Sequence, residues 1–200
     1  MTLDDGFHDV PRGRVATVVT HLEMGAPPAS RDAPDLPGDV SFGPVPDPDP
    51  DWYRDLFNRV GGRDWLWFSR LTMADADLAD ILSHPDVSVH VLTRKGRAEA
   101  LLELDFRTPG ECELAFFGVT PALIGIGAGR WLLTRATELA WSRPIDRFHV
   151  HTCTLDHPAA LSFYRRGGFT PIRQQIEIAP DPRLRGILPE TAAPHIPIFR

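Results

Sequence analysis

The sequence predicts an α/β fold in which a mixed, mostly antiparallel sheet is flanked by helices. Three segments of strand composition follow one another through short turn-like links, which indicates an antiparallel meander. A glycine-rich turn then leads into an amphipathic helix and a further strand, the pattern of a crossover connection. With 200 residues and 42% apolar residues, the chain is expected to form a single domain, residues 1–200.

The composition argues against several classes of protein. The net charge is −6 and Lys95 is the only lysine, so the sequence has no basic run of the kind that favours nucleic acid. The two cysteines, Cys112 and Cys153, form no CxxC pair and are interpreted as reduced thiols. The acidic start and the lack of a long apolar segment predict a cytoplasmic protein without a membrane partner.

The N-terminal half opens with a β-branched segment, Val15–Met24, which predicts a strand. Residues 25–50 hold eight prolines and are predicted to form a surface loop of the same domain, rather than a linker, with one short extended piece. Apolar residues at helical spacing predict a helix over residues 51–60 that ends at the glycine pair 61–62.

A second helix is predicted over Met73–Ser83, with Thr72 as its N-cap. Between the two helices lies an aromatic cluster, Trp65–Phe68, which either packs the core or lines a substrate cleft.

The central part of the chain contains the meander. Its three strands are predicted over residues 87–93, 98–106 and 113–119, with turns at 94–97 and 107–110. Links this short place consecutive strands side by side in opposite directions.

The C-terminal half alternates helices and strands. Apolar spacing predicts a helix over residues 129–142, followed by a strand over 148–154. Asp156 is predicted to cap the next helix, which ends at the glycine pair 167–168 before a last strand over 169–178.

The turn before the first of these helices, Gly125–Gly129, has the sequence GIGAG. Glycines at alternate positions let backbone N–H groups converge, and the following helix N-terminus adds partial positive charge, so the turn suits a pyrophosphate. No Gly-Lys-Ser/Thr follows, which excludes a P-loop, and the GxGxG spacing differs from the dinucleotide pattern. A plain structural turn remains the alternative when the loop is considered alone.

Two segments in series resemble the signatures of the GNAT N-acetyltransferase superfamily. The first comprises the strand Glu113–Val119, the glycine loop and the helix start Arg130–Leu133. The second, Asp156–Phe169, contains a Phe-Tyr pair followed by Gly-Phe. The resemblance covers roughly Val87–Ile178 and implies a GNAT-like fold, in which a splayed central strand pair admits the pantetheine arm of acetyl-CoA.

By this resemblance, the backbone of residues 117–119 would pair with pantetheine, and residues 124–130 would hold the pyrophosphate. The family usually has Arg or Gln at the position of Ile124, so binding is expected to rely on backbone N–H groups, the helix dipole and Arg130. The expected cofactor contacts are Phe117, Gly118, Val119, Ile124, Gly125, Ile126, Gly127, Ala128, Gly129, Arg130, Asp156 and Tyr164.

The same resemblance implies that Tyr164 is the general acid, which protonates the departing thiolate. Glu113 is the candidate base, directly or through a water, because burial in an apolar strand would raise its pKa toward neutrality. Both residues also have structural interpretations, as a helix anchor and as an edge carboxylate. Asp156 either contacts pantetheine, orients a substrate, or caps a helix, and the cap is favoured.

Three potential metal ligands, His149, His151 and Cys153, alternate along one predicted strand and so share a face. That face is expected to pack beneath a helix, and without CxxC or HExxH spacing no metal is expected. His151 or His157 near the thioester is an alternative proton carrier to Tyr164.

The predicted function is transfer of an acetyl group from acetyl-CoA to a primary amine of a small molecule or peptide, by direct attack in a ternary complex. The alternatives are a non-catalytic acyl-CoA-binding sensor and a nucleotide-binding protein that uses the glycine turn. Residues 181–200 are predicted to form an extended surface tail. This tail either covers the acceptor cleft or pairs across a homodimer.

Overall fold

The computed structural model describes residues 4–29 and 33–200, and the strands within them form one seven-stranded sheet. The strands are β1 (Arg14–Met24), β2 (Val40–Pro44), β3 (Val87–Arg94), β4 (Arg97–Asp105), β5 (Glu111–Val119), β6 (Arg147–Cys153) and β7 (Thr170–Pro180). Their order is β2-β3-β4-β5-β6-β1-β7, and only the β5–β6 pair is parallel. The predicted mixed, mostly antiparallel sheet is therefore confirmed.

Helices cover both faces of this sheet. The α-helices are α1 (Pro50–Phe57), α2 (Arg63–Trp65), α3 (Ser69–Thr72), α4 (Asp75–Leu82), α5 (Ala128–Trp141) and α6 (Ala160–Gly167). Successive residues of a strand point to opposite faces. Leu101 of β4 packs with α1 and α4, whereas Leu102 packs with α5, so these helices lie on opposite sides of the sheet. Among the described residues, no helix is long and apolar enough to cross a membrane.

The sequence predicted that the first helix ends at its glycine pair, but the helical segment continues past it. A π-helical segment, Asn58–Gly62, continues α1 directly into α2. A Cβ at Gly61 would lie 2.0 Å from the Trp67 ring, so this glycine permits close packing rather than stopping the helix.

The next helix starts later than predicted, and its predicted cap has another role. Helix α4 begins at Asp75, and Ala74 precedes it without a side-chain cap. Thr72 instead ends α3, where its hydroxyl donates to the Ser69 carbonyl at 3.1 Å. Thr72 therefore stabilises the end of α3 and does not cap α4.

The N-terminal strand has a position that sequence order does not reveal. Strand β1 lies between β6 and β7, which are the last two strands of the chain. The short extended piece predicted within the proline-rich loop is β2, which pairs with β3 along five residues. Residues 30–32 of that loop lie outside the described residues.

The C-terminal segment is not the extended surface tail that the sequence predicted. It folds into turns around Arg183, whose buried guanidinium donates to Asp181 at 2.8 Å and to the Ile196 carbonyl at 2.8 Å. Apolar residues of this segment, among them Leu188 and Ala193, pack with Leu66 in a separate core cluster. The spacing of Pro and apolar residues indicated an extended chain, but these side chains are buried.

Candidate active site

The central parallel strands diverge after three residue pairs. Strands β5 and β6 pair from Glu111 with Arg147 to Glu113 with His149. Beyond that point, β5 stays paired with β4 as far as Val119 but has no partner on its β6 side within the described sheet. Backbone N–H and C=O groups along this edge are therefore free to bind a ligand, as the predicted splay requires.

A β-bulge lies where the two strands separate. Glu103 of β4 is opposite Phe116, whereas the next residue, Leu104, is opposite Leu114, so Ala115 is an extra residue on β5. Bulges bend a strand and increase its local twist, which explains why β5 turns away from β6 here. Neither glycine nor proline marks this position, so the sequence carried no signal for it.

A cavity of about 560 Å³ opens between the diverging strands. This volume is typical of small-molecule sites. The aromatic cluster contributes Trp65, Trp67 and Phe68 to its wall, and Trp67 and Phe68 also pack against the core, so both interpretations of the cluster hold. Most of the sequence-predicted site residues also line the cavity, whereas Glu113 and Ile126 do not.

The glycine loop has the backbone geometry of an anion site. Gly125 and Gly127 adopt left-handed φ angles of +85° and +82°, which only glycine adopts without strain. Helix α5 follows at Ala128, and no side chain caps its first N–H groups. These unpaired donors and the helix dipole attract anions. Ile124 is 65% exposed and offers no polar side-chain atom, as the sequence indicated.

Asp156 does not cap a helix. Helix α6 begins four residues later, at Ala160, without a side-chain cap. The Asp156 carboxylate instead accepts hydrogen bonds from the Thr152 hydroxyl at 2.7 Å, from the Cys153 N–H at 2.8 Å and from the Trp67 indole N–H at 2.8 Å. It therefore links the end of β6 to the aromatic cluster.

Trp67, a member of the predicted aromatic cluster, has a linking role that its sequence position did not indicate. Its ring packs against Phe57 and Phe116, with ring centroids 5.4 and 5.6 Å apart. A Cβ at Gly118 would lie 2.5 Å from Val60 and 3.5 Å from this ring. With its hydrogen bond to Asp156, Trp67 spans the open end of the cleft from β5 to β6. Only contacts between distant segments reveal this role.

Tyr164 projects from α6 into the cavity wall and is only 7% exposed. Its ring contacts Phe117, Phe163 and Phe169. Burial raises the pKa of Tyr164 far above its usual value, and the Asp156 carboxylate raises it further. The phenol therefore stays protonated at neutral pH and can donate a hydrogen bond, but the raised pKa makes it a weaker acid than a free tyrosine.

His151 and Glu113 form a charge pair on the other side of the cleft, with Nδ1 and Oε1 3.5 Å apart. The pKa of Glu113 is lowered, mainly by the hydrogen bond with His151, so the predicted rise is wrong. The same contact raises the pKa of His151. The pair thus couples an ionised carboxylate to an imidazole that binds protons more tightly than usual.

The face that carries His149, His151 and Cys153 was expected to pack beneath a helix, but it does not. The His151 side chain is 50% exposed and lines the cavity. Burial lowers the pKa of the neighbouring His149. Across residues 4–29 and 33–200, no group of three or more His, Cys, Asp or Glu side chains is placed to hold a metal ion.

Comparison with known proteins places the chain in a family. The acetyltransferase (GNAT) family model matches residues 51–169, more than half of the chain. A GCN5-related N-acetyltransferase from Sphaerobacter thermophilus is 18% identical with a TM-score of 0.54, over 85% of this chain and 52% of that chain. A GCN5-related N-acetyltransferase from Kribbella flavida is 18% identical with a TM-score of 0.53, over 87% and 63%.

A tandem GNAT protein from the clavulanic acid biosynthesis pathway is 14% identical with a TM-score of 0.61, over 86% of this chain and 54% of that chain. The chain thus spans roughly half to two thirds of the length of these neighbours. A search among curated proteins found no match. The family match, together with the shared fold, shows that this chain belongs to the acetyltransferase (GNAT) family.

Proposed function

We propose that this protein transfers an acetyl group from acetyl-CoA to a primary amine by direct attack in a ternary complex. The observation that carries the proposal is one cavity bordered by the glycine loop, the unpaired edge of β5 and Tyr164. An acyl-CoA thioester requires an anion site, backbone partners for its amides and a donor near its sulfur. These three features meet in this cleft.

The residues present fit acetyl-CoA as follows. The N–H groups of residues 125–129 would hold the pyrophosphate, with Arg130 on the cavity wall adding positive charge. The unpaired backbone of residues 117–119 would pair with the pantetheine amides. The bound thioester supplies the activated acyl group, and the protein supplies its placement.

Two proton movements fall to groups on opposite sides of the cleft. His151 accepts a proton from the acceptor ammonium, and Glu113 stabilises the imidazolium that forms. Tyr164 donates its hydroxyl proton to the departing thiolate. Glu113 thereby acts through His151, because the carboxylate itself lies outside the cavity wall.

The wall on the His151 side favours a positively charged acceptor. Trp65 and Phe68 offer aromatic faces in the cavity wall, and Asp64 and Glu177 offer carboxylates, of which Glu177 acts on His151. Aromatic faces and carboxylates both attract ammonium groups. We therefore propose a cationic amine, either a small molecule or a peptide, as the acceptor.

The test is release of CoA thiol from acetyl-CoA with a panel of polyamines, aminoglycosides and peptide amines. Tyr164→Phe and His151→Gln should each lower kcat by about 10²-fold or more, because each removes a proton carrier. His8→Gln, at an exposed position near the N-terminus, is the matched control and should retain activity.

Other outcomes separate the alternatives. Thermal stabilisation by acetyl-CoA without turnover of any amine would indicate a non-catalytic acyl-CoA-binding module. Stabilisation by ATP or NAD but not by CoA would indicate a nucleotide site. Full activity in both variants would reject the assigned proton carriers.

A further inference from the structure

We propose that β7 is a self-pairing edge through which two copies of this chain form an antiparallel dimer with one continuous sheet. Strand β7 pairs with β1 on one side and has no neighbour on the other among the described residues. Residues 170–178 are all exposed along this edge. An exposed edge of eleven residues is a template for pairing with another strand. This proposal does not depend on the proposed activity.

The sequence of β7 is complementary to itself in one register. A two-fold axis perpendicular to the sheet keeps each side chain on its own face of the sheet. In an antiparallel pairing the axis must therefore lie between two copies of the same residue. With the axis at Gln175, Arg173 lies opposite Glu177 of the partner subunit, and Ile178 meets the partner's strand near Ile172, the bulged residue of β7. Axes at residues 174 or 176 remove the Arg–Glu pairing. The charges therefore select a single alignment.

These two charged side chains are available for such a pairing. Among the described residues, neither Arg173 nor Glu177 lies within 4.0 Å of an oppositely charged group. Arg173 makes a 3.4 Å contact with His21, at the outer limit of a hydrogen bond. The dimer would contain two equivalent cross-strand ion pairs.

An apolar row supports the same pairing. Ile172, Ile176 and Ile178 share one face of β7 and are 47–49% exposed, and Val18 lies beside Ile176 on β1 and is 38% exposed. In the dimer, the rows of the two copies meet across the two-fold axis. Exposed apolar side chains in one row are typical of an interaction surface.

The ends of β7 limit the interface to a closed dimer. Pro171 and Pro180 lack the N–H groups that would extend the ladder, so pairing is confined to the residues between them. The opposite edge of the sheet is β2, which has five residues and ends at Pro44. Because a two-fold pairing uses the same edge of both copies, it closes after two chains.

The dimer would also alter the acceptor cleft. Glu177 lines the cavity, and in this register it faces Arg173 of the partner subunit. The partner's Arg173 would thus pair with this carboxylate of the cavity wall and weaken its attraction for a cationic acceptor, leaving Asp64 as a carboxylate of that wall outside the pairing.

Light scattering after size exclusion tests the proposal. At about 50 µM, above a micromolar dissociation constant, the wild type should have about twice the 22.3 kDa mass of one chain. Glu177→Arg and Arg173→Glu each place like charges opposite one another and should raise the dissociation constant at least tenfold, as read from a dilution series between about 0.5 and 50 µM. The double reversal should restore the dimer. Asp80→Arg, at an exposed position of α4, is the matched control and should remain dimeric.

Far-UV circular dichroism of each variant confirms that it is folded. A monomeric wild type, a dissociation constant that neither single reversal raises, or a double reversal that associates as weakly as the single ones would overturn the proposal.

Discussion

A single methyl group in the glycine loop distinguishes a binding role from a structural one. Gly125 has φ +85° and lines the cavity, and a Cβ there would meet nothing within 4 Å. Gly96, in the turn between β3 and β4, has φ +76° and the same open surroundings. Replacement by alanine therefore introduces the same backbone strain at both positions, but only Gly125→Ala places a methyl group in the cleft.

The expected magnitudes follow from the backbone geometry. Alanine in the left-handed region costs roughly 1–2 kcal/mol, so both variants should lose about 2–8 °C in Tm. Acetyl-CoA at 100 times its Kd should stabilise the wild type and Gly96→Ala by about 2.7 kcal/mol. If the methyl group weakens binding tenfold, Gly125→Ala should gain only about 1.4 kcal/mol at the same concentration.

Differential scanning calorimetry with and without acetyl-CoA measures both effects. Equal ligand stabilisation of the two variants would refute the assignment of the loop as the pyrophosphate site. A Tm of Gly96→Ala equal to that of the wild type would refute the strain argument instead.

Three further predictions concern one buried ion pair and two groups that line the cleft. The guanidinium of Arg70 forms an ion pair with the fully buried carboxylate of Glu103. Arg70→Met leaves this carboxylate without its charge partner and should lower the free energy of unfolding in urea by about 3–5 kcal/mol. Replacing Arg70 by Met and Glu103 by Leu together should recover most of this loss. If the single and the double variant lose the same free energy of unfolding, the reasoning is contradicted. Trp67→Phe removes the indole N–H donated to the carboxylate at the end of β6 and should cost about 1–3 kcal/mol in the same titration. In the proposed mechanism neutral His151 accepts the proton, so activity should rise with pH through its raised pKa, and Glu113→Gln should move this acidic limb of kcat/KM to lower pH. If the acidic limb of kcat/KM does not move, the Glu113–His151 pair does not take part in the reaction.

The meander was predictable because its determinants are local. Strands β3, β4 and β5 lie within two residues of their predicted bounds, since alternating apolar residues and short turns specify both the strands and their neighbours. The position of β1 between β6 and β7 was not predictable, because that pairing joins segments more than 120 residues apart.

Glycines have two different structural roles in this chain, a turn before a helix and close packing inside a helix, and the sequence did not distinguish them. The glycine turn leads into a helix, as predicted, and two of its glycines, Gly125 and Gly127, have positive φ angles. Gly61 lies inside a continuous helical segment. Glycine is needed there because the Trp67 ring occupies the space that a side chain would fill. The difference depends on a tertiary contact.

The chemistry of the cleft was predictable only in part. The family signatures located Tyr164 and the glycine loop, and both line the cavity. The link from Asp156 to Trp67 and the lowered pKa of Glu113 depend on partners 89 and 38 residues away. Patterns of adjacent residues carry no information on such pairs.

A crystal structure with acetyl-CoA is the most direct test of the claim that the diverging strands form the acyl-CoA site. Pantetheine should lie between β5 and β6, with the pyrophosphate at residues 125–129 and the thioester beside Tyr164. A pyrophosphate bound elsewhere, or pantetheine outside the cleft between β5 and β6, would contradict the assigned site.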